Sequence, residues 1–327
     1  MPTPTRTTIA TLSLGLAAAL LAGCGSDEGM ATSPTSPPAA PAAASGTFPV
    51  EITTAAGTFT VAARPVRIVS LAPTATEMLF AIGAGEQVVA VDDQSNFPPE
   101  APRTDLSGFT PNLEAIVGNR PDLVVVTDSA REVAGGLEQF DIPTAVLPAA
   151  VEFEDTYAQL EQLGAATGHV AEAAGLVARM QSDIAALAAE VPKRDEPLTY
   201  YHELDPTFFT ATSRTFIGAV YEVAGLRNIA DTAGGAGDYP QLSSEAIVRA
   251  DPDLIFLADT KCCQQTADSV ATRPGWSTIS AVRSGSVVAL DDDVASRWGP
   301  RVVDLLRQVV AAVKAVPQPA AVGAGAG

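Results

Sequence analysis

Residues 114–128 read EAIVGNRPDLVVVTD, and residues 245–259 read EAIVRADPDLIFLAD. The same glutamate, short apolar run, Pro-Asp pair and closing apolar stretch occur twice, which marks an internal repeat. Each copy has a physical sense. The glutamate opens a short helix, Pro121 or Pro252 stops it by removing a donor and restricting the residue before it, and a continuous apolar run follows. LVVV (123–126) and LIFL (254–257) each suit a strand buried on both faces of a parallel sheet. Two copies predict two similar α/β lobes.

Between the copies, residues 169–191 read HVAEAAGLVARMQSDIAALAAEV, with Gly175 the only interior breaker and Pro192 the stop. Such a helix would span about 30 Å and tie two lobes together as a strut, where a flexible linker would show Gly, Ser or Pro throughout. The expected division is an N-terminal lobe over 48–167, an interdomain helix over 168–192 and a C-terminal lobe over 193–316. In the first lobe, residues 50–61 suggest a hairpin with a turn near Gly57, and RIVSL (67–71) a buried strand. APTATEMLFAIGAG then predicts a helix capped by Thr74 or Thr76, with Met78, Leu79 and Ile82 inward and Gly83 or Gly85 at its end. That helix starts at the carboxyl end of a strand, the edge where ligands collect in open α/β sheets. Strands are expected at 88–92, 123–127 and 144–148, and in the second lobe at 198–204, 254–258 and 286–290. A helix over 216–229 closed by Gly225 and a final helix over 300–316 complete the second lobe, and the 317–327 tail is expected to be disordered.

A chain of 327 residues exceeds the usual single core, and a formal net charge of -19 argues against nucleic acid as a partner. Arg6, the apolar run 9–22 and Leu21-Ala22-Gly23-Cys24 have the layout of a signal peptide over 1–23, too short for a membrane span. The residues before Cys24 resemble the lipobox of bacterial lipoproteins, in which the cysteine is acylated; an ordinary signal peptide is the alternative. Residues 24–47, rich in Ser, Pro, Ala, Thr and Gly, read as a flexible tether.

The chain has 2 histidines, His169 and His202, which leaves little from which to build a catalytic triad or a multi-histidine metal site. Neither a phosphate-binding loop nor a dinucleotide fingerprint is visible, so no enzyme and no cofactor are expected. Adjacent Cys262 and Cys263 could form a disulfide, remain two thiols or bind a soft metal. Aromatic residues make up only 6% of the chain, and Phe109, Tyr239 and Trp298 stand in loop-like, polar surroundings where such side chains serve ligands or pack ordinarily.

The lipobox and tether, RIVSLAPTATEMLFAIGAGEQVVAVDD, the repeated EAIV…PDL pair and SRWGPR together resemble the solute-binding proteins of bacterial ABC importers for iron-siderophores and cobalamin. The resemblance implies two Rossmann-like α/β lobes joined by a single long helix, with a shallow ligand cleft between them and little closure on binding. It implies a monomer, held at the outer face of the cytoplasmic membrane through lipidated Cys24, that docks onto an ABC permease dimer through Glu114 and Glu245. A purely local role for both glutamates also exists, since a carboxylate in a helix's first turn favours the dipole. TEMLFAIGAGEQVVAVDDQSNFPPEA and YPQLSSE look closer to the cobalamin receptors, which implies a cleft lined by Phe109, Tyr239 and Trp298 with polar groups from Gln94, His202, Glu203 and Arg297. A ferric siderophore or haem, the alternative ligand, would call on Arg214, Arg297 and Arg301.

Overall fold

The apolar runs become the inner strands of two all-parallel sheets in the computed structural model, which describes residues 46–233 and 235–318. Residues 1–45, with the signal peptide, Cys24 and nearly all of the expected tether, lie outside the described residues, as do 319–327 of the expected tail. The first lobe opens with an antiparallel hairpin, β1 (Val50–Thr54) and β2 (Gly57–Val61). Then follow β3 (Ile68–Ser70), β4 (Val88–Asp92), β5 (Arg103–Leu106), β6 (Leu123–Thr127) and β7 (Thr144–Leu147), in the sheet order β5-β4-β3-β6-β7. The second lobe holds β8 (Thr199–Glu203), β9 (Arg227–Asn228), β10 (Leu254–Leu257) and β11 (Val287–Ala289), in the order β11-β10-β8-β9. Strands β5 and β9 were not expected from sequence: β9 pairs over only Arg227 and Asn228, and the RTDL of β5 has no apolar run.

The repeat extends to the backbone. Arg120 and Asp251, each just before the shared proline, both take positive φ (50° and 47°), conformations unusual for side-chain-bearing residues. The aspartate after each proline ties its strand to the start of the neighbour. Asp122 accepts from the amides of Val66 and Arg67 at 2.9 Å, and Asp253 from the amide and hydroxyl of Thr199 at 2.8 and 2.9 Å. The helices Leu113–Gly118 and Ser244–Ala250 are capped alike, Asn112 and Ser243 each accepting an amide at 3.1 Å.

The helix after β3 starts differently from the expectation. It spans Pro73–Ala81 with Ala72 at the cap, and Thr74 and Thr76 lie inside it. Pro73 needs no amide partner at the first helical position and holds Ala72 extended (φ -146°, ψ 110°), so no side-chain cap is required. Thr76 instead donates to Ser70 Oγ at 2.8 Å.

Helix Val170–Ala189 buries the stripe Ala173, Val177, Met180 and Leu187. It packs against helices Phe153–Thr167 and Val302–Ala315. A Cβ on Gly164 would lie 2.5 Å from that of Ala173, so glycine is what lets the first of these helices approach so closely. One hydrophobic cluster runs from Ile52 through Val177 to Val313 and includes Phe153 and Phe216, whose rings from the two halves of the chain lie 5.4 Å apart. Dividing the chain at 167/168 and 192/193 is our proposal; the core itself continues through the strut.

Candidate functional site

Where the two lobes meet, the helix Pro73–Ala81 carries Glu77, 3% exposed, and the loop reading SRWGPR reaches across from the C-terminal lobe. Arg301 donates to both Glu77 oxygens, and Arg297 donates to the same carboxylate at 2.8 Å. Arg297 also donates to Asn96 Oδ1 (3.0 Å), the Gln94 carbonyl (3.0 Å) and Asp293 (2.9 Å), while Asn96 donates to Asp293 at 3.0 Å. Arg301 lies over the Phe97 ring, 4.1 Å from its centre. Trp298 donates its indole N–H to Gln159 at 2.9 Å, and its carbonyl accepts from Thr156 at 3.0 Å. The buried carboxylate is thus neutralised by two guanidinium groups, and every charge-bearing side chain of this loop is committed to the opposite lobe.

The structure separates the expected cleft residues into three groups. Phe109 (74% exposed) and Tyr239 (52%) present unclaimed aromatic surface, and the Gln94 side chain is exposed. Phe109 follows β5, and the segment around Tyr239 pairs with the chain leaving β8 through the Thr210 and Thr212 amides, so both stand at carboxyl edges of their sheets. Arg297 and Trp298, by contrast, are anchors of the seam. His202 and Glu203 are corrections: both are 0% exposed and cannot meet a ligand in this arrangement. His202 faces the core, where its Nδ1 pairs with the Tyr221 hydroxyl at 2.7 Å and burial pushes its pKa down to about 3, so the ring stays neutral. Glu203 faces the other side of β8 in a paired contact with Arg273, 2.6 Å at each oxygen.

Arg273 lies over Trp276 at 4.5 Å and Phe208 at 5.4 Å. Beside this pair, Asp259 is wholly buried with neither carboxylate oxygen hydrogen-bonded among the described residues. Burial first, and then the neighbouring Glu203 carboxylate, push its pKa up to about 7 against the partial relief from Arg273. Cys262 and Cys263, in the loop just beyond, form a disulfide, which selects one of the three states left open by the sequence. Glu114 and Glu245 are exposed in the first turns of their helices and form no ion pair among the described residues. A surface hollow of about 650 Å³ adjoins Glu245, lined by Phe208, Val248 and Arg273 among others, and one of about 560 Å³ lies between the hairpin and β7. Glu77, Arg273, Asp259 and the Asp291–Asp293 run had not been singled out. A glutamate inside the apolar TEMLFA helix was the one available signal.

Two parallel-sheet lobes on a helical strut, with their carboxyl edges meeting at an ion-paired seam, define a substrate-binding protein of the two-lobe type. The periplasmic binding protein family profile matches residues 68–294, and the chain belongs to that family. It is 30% identical over 308 residues, 91% of this chain and 94% of the relative, to the uncharacterized ABC transporter substrate-binding lipoprotein YvrC of Bacillus subtilis. It is 34% identical over 271 residues, 79% of this chain and 72% of the relative, to a cobalamin-binding protein of Halobacterium salinarum. Among solved structures, the vitamin B12 binding protein BtuF of Vibrio cholerae superposes with TM-score 0.65 at 26% identity, covering 76% of this chain and 96% of that one. The heme-binding protein RhuT of Roseiflexus superposes with TM-score 0.67 at 25% identity, covering 76% and 98%. The chain is therefore an extracytoplasmic substrate-binding protein of the ABC-importer kind.

The raised pKa of Asp259 has a definite sign for stability. Between its ordinary value of 3.8 and the folded value of about 7, the folded chain holds a proton on Asp259 that the unfolded chain has released, so this group's contribution to stability falls as pH rises through that window and levels off above it. His202, held at about 3 against an ordinary value of 6.5, contributes with the opposite sign over much of the same range, so the Asp259 effect is read as a difference between variant and parent. Relative to the parent, Asp259→Asn should gain stability as pH rises from about 4 to about 7. Denaturant midpoints of both proteins taken from about pH 4 to about pH 8 check it; a difference between them that does not change with pH would assign the proton elsewhere.

Proposed function

We propose that this chain is the lipid-anchored receptor of an ABC importer, and that it captures cobalamin or a related corrinoid at the carboxyl edges of its two sheets and hands it to a permease dimer. The observation that carries the reading is the pair of exposed aromatic side chains, Phe109 on one lobe and Tyr239 on the other, in a chain 34% identical to a cobalamin-binding protein. A corrin is broad, apolar over much of its rim and fringed by neutral amides, so it gains from stacking area and scattered hydrogen bonds more than from charge. The arginines fit this choice. Of the three arginines an anionic ligand would call on, Arg297 and Arg301 are spent on Glu77, and Arg214, with its side chain 62% exposed and paired with Asp238 at 2.8 Å, remains open.

The second reading, haem or a ferric siderophore, has the likeness to heme-binding RhuT in its favour. Its carboxylates or catecholates would draw on Arg214, and its binding would weaken with salt. The anchor is Cys24, and the handover surface consists of Glu114 and Glu245, exposed and capped alike at the same place in each repeat. Acylation contributes about 0.8 kcal/mol per buried CH₂, which makes a multiply acylated cysteine a lasting tether.

Equilibrium dialysis against cobalamin and haem at low and high salt separates the two ligands. We expect one cobalamin per chain, recovered chemically unchanged, with little salt dependence, and a loss of about 1–3 kcal/mol of binding in Tyr239→Ala, as for an aromatic anchor. A salt-sensitive haem complex without cobalamin binding would reverse the assignment, and chemical turnover would exclude the receptor reading. The permease contact has its own check: reversing the charge at both Glu114 and Glu245 should abolish uptake and leave ligand affinity unchanged. Undiminished uptake would reduce both residues to helix first-turn carboxylates.

A further inference from the structure

Cys262 and Cys263 are bonded to each other in the loop that leaves the carboxyl end of β10, Cys262 exposed and Cys263 half-buried. The backbone leading into them is gathered onto one carboxylate. Asp292 accepts from the amides of Thr260 (2.8 Å), Lys261 (3.0 Å to each oxygen) and Cys262 (2.9 Å), and from the Thr260 hydroxyl (2.8 Å). Lys261 then bridges Asp291 at 2.7 Å and Asp293 at 2.8 Å. Asp293 is itself a member of the seam, since it accepts from Asn96 of the other lobe and from Arg297. At its far end the loop hangs on the carbonyl of Asp259, which accepts from the Cys263 and Gln265 amides at 3.3 Å. One short run of aspartates therefore joins the disulfide to the contact between lobes.

We propose that the Cys262–Cys263 bond is a thiol-exchange site for dithiol reductants, and that opening it loosens the loop gathered on Asp292 and with it the Asp293–Asn96 arm of the seam. The exposed Sγ of Cys262 is the point of attack. A thiolate of the dithiol bonds to it, the Cys262–Cys263 bond breaks, and the electron pair leaves on Cys263 Sγ, which takes up a proton. The second thiol of the reductant then attacks its own sulfur in the mixed disulfide and expels Cys262, which is protonated in turn; the reductant leaves as a cyclic disulfide, and two electrons have passed to the protein. A bond between adjacent residues closes a small ring around the peptide that joins them, so reduction returns torsional freedom to the backbone whose amides Asp292 holds. The carboxylates of Asp291, Asp292 and Asp293 lie beside this loop, opposed by Lys261 on Asp291 and Asp293 and by Arg297 on Asp293. This acidic setting repels thiols that carry further negative charge, which favours an otherwise uncharged dithiol as reagent.

The test uses the full chain, oxidised, with dithiothreitol as the neutral dithiol. Alkylation under native conditions followed by peptide mass mapping reports Cys262 and Cys263 separately from Cys24. Amide hydrogen exchange reports residues 260–263 and 94–97. The expected result is joint alkylation of the two cysteines, with exchange about tenfold faster in both segments and restored on reoxidation. The C262S/C263S double variant should exchange at the fast rate with or without dithiothreitol. A bond that stays closed in the native chain while a small exposed disulfide in the same tube is reduced would overturn the proposal. So would alkylation of both cysteines with unchanged exchange in the two segments, or slow exchange in the double variant.

Discussion

A carboxylate on the third-strand helix, reached by two arginines from 220 and 224 residues further along the chain, is the contact on which the arrangement of the lobes depends. Burying Glu77 alone would be prohibitive, and burying it between Arg297 and Arg301 is tolerable because each of its oxygens receives charge-assisted hydrogen bonds. Such a contact is weak evidence for net stability, but it penalises displacement of the lobes, since leaving one partner of a buried pair uncompensated costs about 3–5 kcal/mol. The continuous core through the Val170–Ala189 strut enforces the same placement from behind.

Function follows from what this frame leaves uncovered. With the seam's arginines and Trp298 committed to the opposite lobe, the side chains expected to line a corrin cleft that are still offered are Phe109, Tyr239 and Gln94. These are flat or neutral, and they suit a ligand recognised by surface area. A receptor held rigid by ion pairs and a shared core would bind without a large closing motion, and it would present Glu114 and Glu245 to a partner at a fixed separation whether loaded or empty.

The inner strands and the strut were legible because their signals are local. An apolar run after a Pro-Asp pair says buried strand whatever surrounds it, and twenty helix-forming residues before a proline say helix. The Pro-Asp aspartates were visible as a pattern, yet their work, holding the start of a neighbouring strand, depends on pairing that sequence does not display. The same limit misled the reading of His202 and Glu203. On a strand buried on both faces, alternation sends one into the core beside Tyr221 and the other against Arg273, and neither side is solvent. The Thr74 and Thr76 caps failed for a nearer reason, because Pro73 already solves the helix start without them. Family likeness points to the aromatic positions as candidates; the structure distinguishes Tyr239, left open, from Trp298, built into the seam.

The claim on which all of this rests is that the two lobes form one rigid frame. Spin labels at Glu138 on the first lobe and Asp268 on the second, both exposed, would report their separation by pulsed dipolar spectroscopy with and without saturating cobalamin. The account predicts a single narrow distance distribution that ligand leaves in place; a broad distribution in the empty protein, or a shift of several ångströms (on the order of a hinge closure) on loading, would contradict it.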